Sequence, residues 1–195
     1  MSDKIITNTY LGYHGTRSDA KDNILTDGLK SSKGNSEWLG DGGYFFLHGV
    51  SSHPEKDAEN WAIAQAWDDK SKAYLYDKYA VIECKIESNK DKVLDLRNDE
   101  DIQLLNYIKE KNEDKLLNIK KKGKLLYIDG ILINFAMEEH LISPDVIISN
   151  AYIKFKKERM RNINSRIPNC TICSIRNPLN NIHNYKLVME GDIAV

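Results

Sequence analysis

Thr9-Tyr10-Leu11-Gly12-Tyr13-His14-Gly15 is a run of aromatic and β-favouring residues that ends on an imidazole and a glycine. It reads as a short strand. Just beyond it, Ser18 or Asp19 caps a helix through Leu25, and Asp27-Gly28 stops that helix. A polar loop from Ser31 to Glu37 leads into Trp38-Leu39-Gly40-Asp41-Gly42-Gly43 and then the apolar run Tyr44-Phe45-Phe46-Leu47. After a second polar loop, Asp57 to Trp67 places Ala58, Trp61, Ala62 and Gln65 on one face of a helix.

Further along, Ala80, Ile82, Cys84 and Ile86 alternate with Glu83 and Lys85, the pattern of a half-buried strand over Tyr79 to Ile86. Val93 to Leu96 is a shorter strand. Asp99-Glu100-Asp101 puts acid at the start of a helix carrying Ile102, Leu105 and Ile108, where the macrodipole favours it. A second helix spans Glu113 to Ile119 and ends on the basic Lys120-Lys121-Lys122-Gly123. The apolar runs Tyr127 to Phe135, Val146 to Phe155, Thr171 to Ile175 and Tyr185 to Met189 read as strands, with Asp129-Gly130 and Pro178 as turns beside them. Strands and helices mix in no βαβ rhythm. The expected class is α+β, a mainly antiparallel sheet with flanking helices.

Composition agrees with an ordinary globular chain. The 195 residues are 41% hydrophobic and 29% charged, with 28 Lys plus Arg against 29 Asp plus Glu. Internal repeats and Pro- or Gly-rich linkers are missing, so one domain over residues 1–195 is expected. No apolar run approaches the roughly 20 residues of a membrane span. Met1 to Tyr10 has no signal-peptide character, which gives a cytoplasmic reading with no membrane partner. Three Cys exclude a disulfide scaffold. The net charge of −1 argues against bulk electrostatic capture of nucleic acid, so such binding would need a local patch.

The early segment carries more than a scaffold needs. An imidazole beside a bare backbone (His14-Gly15), a Gly-rich turn into Tyr44, and an aromatic Trp61 on the next helix suit a flat heteroaromatic ligand with a ribose attached. Taken singly, each is ordinary: a structural histidine, a hairpin turn, a core aromatic.

In order and spacing, Tyr13-His14-Gly15-Thr16, Gly28-Leu29, Leu39-Gly40-Asp41-Gly42-Gly43-Tyr44-Phe45 and Ala58-Glu59-Asn60-Trp61-Ala62 resemble the ADP-ribosyltransferase superfamily. Within it the likeness is to the His-Tyr-Glu branch, which holds diphtheria toxin and the poly(ADP-ribose) polymerases, and to its small bacterial members. Asp129-Gly130-Ile131, Ser143-Pro144-Asp145-Val146-Ile147-Ile148 and the segment from Asn169 to Pro178 look like the later strands of those small bacterial members.

The resemblance implies split antiparallel sheets around an NAD cleft, with NAD as co-substrate. It implies His14 on a ribose hydroxyl, Gly15 on the nicotinamide carboxamide with Thr16 beside it, and Tyr44 and Trp61 as stacking faces. It further implies a mono-ADP-ribosyltransferase acting on a macromolecular acceptor, protein or nucleic acid, with a toxin or defence role and an antitoxin partner where the chain is a toxin. Breaking the nicotinamide–ribose bond develops positive charge on the ribose while a neutral ring leaves, so the chemistry needs neither a metal nor a protein nucleophile.

The third catalytic position, a Glu or Gln in the family, falls on Ile172, and a one-residue shift would put Thr171 there. Relatives with an apolar residue at this place are either transferases that borrow an acceptor carboxylate or inactive, so an NAD- or ADP-ribose-binding sensor stands as the alternative. Lys154 to Arg166 holds six cations against Glu158, either a solvated loop or a contact surface for nucleic acid or an acidic partner. Cys170-Thr171-Ile172-Cys173 has zinc-ligand spacing but no second pair, and a strand would aim its thiols to opposite faces. Neither H-E-x-x-H nor G-x-S-x-G occurs.

Overall fold

A computed structural model describes residues 6–34, 36–120 and 128–193. β1 (Thr7–Arg17) is the strand expected from the opening sequence, but it is longer than the short strand read there, beginning before Thr9 and continuing past Gly15. It pairs antiparallel along its whole length with β5 (Lys78–Asn89), from Thr7↔Asn89 to Arg17↔Tyr79. Between them in the chain come α1 (Lys21–Asp27), β2 (Gly43–Leu47), α2 (Pro54–Ala66) and a small hairpin, β3 (Trp67–Asp68) with β4 (Ala73–Tyr74). Then follow β6 (Val93–Asp95), α3 (Asp99–Lys111), α4 (Glu113–Lys120), α5 (Ile128–Glu138), β7 (Val146–Ala151), α6 (Lys156–Met160), β8 (Cys170–Ile175), α7 (Pro178–Asn181) and β9 (Ile182–Asp192).

Seven strands form one sheet in the order β6-β7-β8-β2-β1-β5-β9, and the hairpin stands apart. Among the described residues only β6 and β7 run parallel, and the chain between them passes through α3, α4 and α5. The class is therefore α+β with a mostly antiparallel sheet. Separate small sheets are not what forms: the sheet is continuous, joined at its middle by only two β1–β2 pairs, Gly12↔Leu47 and Tyr13↔Phe46. Beyond Tyr13 the ladder stops.

Both faces of the sheet are covered, which explains why its inner strands read as unbroken apolar runs. Phe46, Val81, Ile147 and Ile172 face the core beneath α2, α3, α4 and α5. Their immediate neighbours Phe45, Ile82, Ile148 and Cys173 face a second core closed by Ile24 of α1, Leu29 and Ile182. Period-two alternation distributes each run between two interiors. Cys170 and Cys173 lie in opposite cores, as a strand requires, and all three cysteines are free and buried.

Two readings need correction. The run at 128–138 is helix α5, and Asp129-Gly130 sits in its first turn rather than in a loop. A continuous apolar run does not separate a buried strand from a buried helix. Here Ile131, Leu132, Ile133, Phe135 and Ala136 are all buried, so polar punctuation was absent from most of the helix surface. Gly130 serves close packing: a Cβ there would lie 1.8 Å from the Glu37 carbonyl oxygen. The second correction is smaller. α2 begins at Pro54, not Asp57, because proline at the first helical position needs no partner for a missing N–H. Tyr127 and the Lys121-Lys122-Gly123 segment lie outside the described residues.

Candidate functional site

Where β1 and β2 part, a cleft of about 460 Å³ opens between the two halves of the sheet. It is lined from both interiors: Leu29 and Phe45 belong to one core, Phe46, Ile153 and Ile172 to the other. His14 stands at the point of separation. Its Nδ1 lies 2.8 Å from the Tyr44 carbonyl oxygen, a side-chain bond continuing where the strand ladder ends.

A carbonyl oxygen only accepts, so Nδ1 donates. Burial lowers the His14 pKa from its ordinary value, against the opposing effect of the Tyr44 carbonyl, and keeps the ring neutral at pH 7. The Nε2 of a neutral ring protonated on Nδ1 is then an acceptor. His14 also tilts against Phe45, centroids 5.6 Å apart.

Gly15 is fixed by packing. An added Cβ would fall 1.8 Å from the Ala58 carbonyl oxygen, so only glycine lets α2 lie this close to β1. That approach carries Trp61, one turn further along α2, to the cleft wall. Tyr44 is held by its phenol, which donates to the Gly40 carbonyl (2.7 Å) and accepts from the Leu39 amide (2.8 Å). Burial pushes its pKa well up, so it stays a neutral donor.

The turn that holds Tyr44 is itself anchored from α5 and β8. Asn134 accepts from the Asp41 amide at 2.9 Å and donates to the Asp41 carboxylate at 3.0 Å. Arg176 donates to the Asn134 amide oxygen at 2.9 Å and to the Asp41 carbonyl. Gly40, at φ +73°, supplies the left-handed backbone the turn needs.

Sequence reasoning named His14, Gly15, Tyr44, Trp61 and Ile172, and all five line this cleft. Thr16 does not; it lies one residue beyond, paired with Ala80. Ile172 is 2% exposed and pairs with Phe46 and Ser149 on either side. Thr171 points the other way, accepting from the Val50 amide (3.0 Å) and donating to Asn150 (2.8 Å). The residue β8 presents to the cleft is thus the isoleucine.

Three further lining residues were missed. Trp38 meets Trp61 edge to face at 5.4 Å. Arg159 lies over the Trp61 ring at 5.1 Å and donates to the Ala64 carbonyl at 2.9 Å. Lys30 adds a second cation, against Glu37 as the one acid in the lining. Trp38 sat inside the quoted glycine-rich motif, where its size was a usable signal. Arg159 comes from a segment nearly a hundred residues away, and nothing local announces it.

Among the described residues, no cluster of three His, Cys, Asp or Glu forms a metal centre, and no helix is long and apolar enough to cross a membrane. Searches for related proteins add nothing to this picture: no family model matches the chain, and no curated protein matches its sequence.

Proposed function

We propose that the cleft binds NAD and that the protein transfers ADP-ribose from it to a macromolecular acceptor. The observation that carries this reading is the convergence of His14, Tyr44 and Trp61, from three separated segments, on one cleft of ligand size. The groups suit the parts of NAD. Tyr44, Trp38 and Trp61 offer aromatic faces for flat rings, the Nε2 of His14 accepts from a ribose hydroxyl, and Lys30 and Arg159 offer positive charge to the diphosphate.

NAD supplies the labile bond. The C1′–N bond to nicotinamide breaks with its electron pair going to the ring, which leaves neutral. A new C1′–O or C1′–N bond forms to the acceptor, whose proton passes to solvent. The protein's part is to grip the leaving ring and hold the ribose by its hydroxyl.

Ile172 favours a second reading. In its place a carboxylate would steady the developing charge, and loss of a comparable group costs about 3 kcal/mol of barrier. A sensor that binds NAD without turnover is consistent with an apolar residue packed there.

The test is nicotinamide release from NAD by the purified protein, with and without cell lysate. Release stimulated by lysate and abolished in both His14→Ala and Tyr44→Ala is expected of the transferase. Saturable NAD binding without release, with release restored by Ile172→Glu, selects the sensor. Release that survives both alanine variants overturns the assignment of the site.

A further inference from the structure

We propose that the surface built by α6 and the β3–β4 hairpin docks single-stranded nucleic acid and presents it to the mouth of the cleft as the acceptor. This rests on the transferase reading above. A groove of about 620 Å³ runs along α6, lined by Phe155, Lys156, Lys157, Met160 and Arg161, with Glu158 as the one acid among them and Asn60 contributed by α2. Asn60 is the neighbour of Trp61, so groove and cleft share the α2 wall, and Arg159 of α6 reaches into the cleft itself.

The charge is segregated here. Lys154 to Arg166 carries six cations and one acid, while the chain as a whole is −1, leaving a net of −6 on all other residues. A patch of this sign on an otherwise acidic molecule selects polyanions.

The structure adds what the linear sequence lacked, aromatic surface beside the cations. Lys156 lies 5.1 Å over the ring of Tyr74 on the β3–β4 hairpin. Tyr74 is braced edge to face by Trp67 at 5.3 Å. Half-buried Phe155, packed on Phe46 with ring centroids 6.4 Å apart, also lines the groove. Cations set among ring faces match a strand that alternates phosphates with stackable bases. An acidic peptide would use the cations but not the rings. Neither edge strand of the seven-stranded sheet, β6 or β9, lines the groove to receive such a peptide as an added strand.

The experiment is fluorescence anisotropy with labelled 20-nucleotide single strands of DNA and RNA, from 50 to 200 mM NaCl. Polyglutamate is the competitor, and nicotinamide release is measured on the same preparation. Neutralising about three phosphates with Lys156, Lys157 and Arg161 gives a slope near −2 in log affinity against log salt, roughly a 20-fold weakening over that range. The double variant Lys157→Glu/Arg161→Glu changes two exposed residues outside the cleft. It is expected to bind at least tenfold more weakly while releasing nicotinamide from NAD alone as the parent does.

No binding at 50 mM salt, binding unaffected by the double variant, or polyglutamate competing as well as the oligonucleotide would each overturn the docking surface. Binding without nicotinamide release would leave the docking surface standing and remove the transferase reading. Release without binding would do the reverse.

Discussion

On the β1–β2 side of the cleft the strands part after two residue pairs, leaving His14 in the cleft lining and Tyr44 tied by its phenol to a glycine turn. On the β8 side the ladder is unbroken, and Ile172 stands in it as a core residue. The first wall is polar, braced by Asn134 and Arg176, and places hydrogen-bonding groups where a ligand can use them. The second offers a flat apolar surface. Under the proposed transferase reading, the first wall would grip the ligand, while stabilisation of the charge that develops within it would have to come from the acceptor, because β8 offers only Ile172.

The sharpest way to break this comparison is at His14. Replacing it with Ala removes the acceptor and the bridge to the Tyr44 carbonyl, and should lower nicotinamide release by about 10²–10³-fold, close to 3 kcal/mol. Gly15→Ala comes next. Its Cβ cannot coexist with the Ala58 carbonyl, so α2 must shift; a loss of about 3 kcal/mol in chemical denaturation is expected, with Trp61 displaced from the cleft. Tyr44→Phe keeps the ring face and loses both phenol bonds to the turn. About 1 kcal/mol of stability should go, seen as a lowered melting temperature.

The apolar wall should behave in the opposite way. Ile172→Val deletes one buried methylene, costing about 1 kcal/mol of stability while leaving NAD affinity within twofold. Affinity falling tenfold or more would show that Ile172 touches the ligand in a way packing does not describe.

The smallest effect is that of pH. Because burial lowers the His14 pKa, the ring stays neutral down to the ordinary imidazole value of 6.5 and charges only below it. His14 therefore costs no stability above pH 6.5, and its contribution is lost as pH falls through the lowered folded value. An NMR titration should place the midpoint below 6.5, with the proton on Nδ1 in the neutral form. A midpoint above 6.5 would mean the ring is not held as described.

Much of the polar wall was legible in the sequence because its residues sit in short local signatures: a strand ending in His14-Gly15, and a glycine turn ending at Tyr44. Local chemistry also fixed the end of α1, where Gly28 at φ +81° stops the helix, but not its start: neither Ser18 nor Asp19 caps it, and a 3-10 turn over Ser18–Ala20 leads into Lys21 instead. The pairing of α5 with the turn was not legible. Its apolar run lacks the periodicity that distinguishes helix from strand, and Gly130 resembles a turn residue while serving a close approach to Glu37. The continuity of the sheet was hidden for another reason. It depends on two residue pairs between β1 and β2, and short cross-chain contacts leave no pattern along the sequence. Arg159 and Tyr74 reach their places through tertiary packing alone.

The most direct measurement is calorimetric titration of NAD into the protein and into His14→Ala. Saturable one-to-one binding that weakens at least tenfold in the variant is the expected result. No heat of binding to the parent protein, or equal affinity in both, would contradict the placement of an NAD site at the parting of β1 and β2.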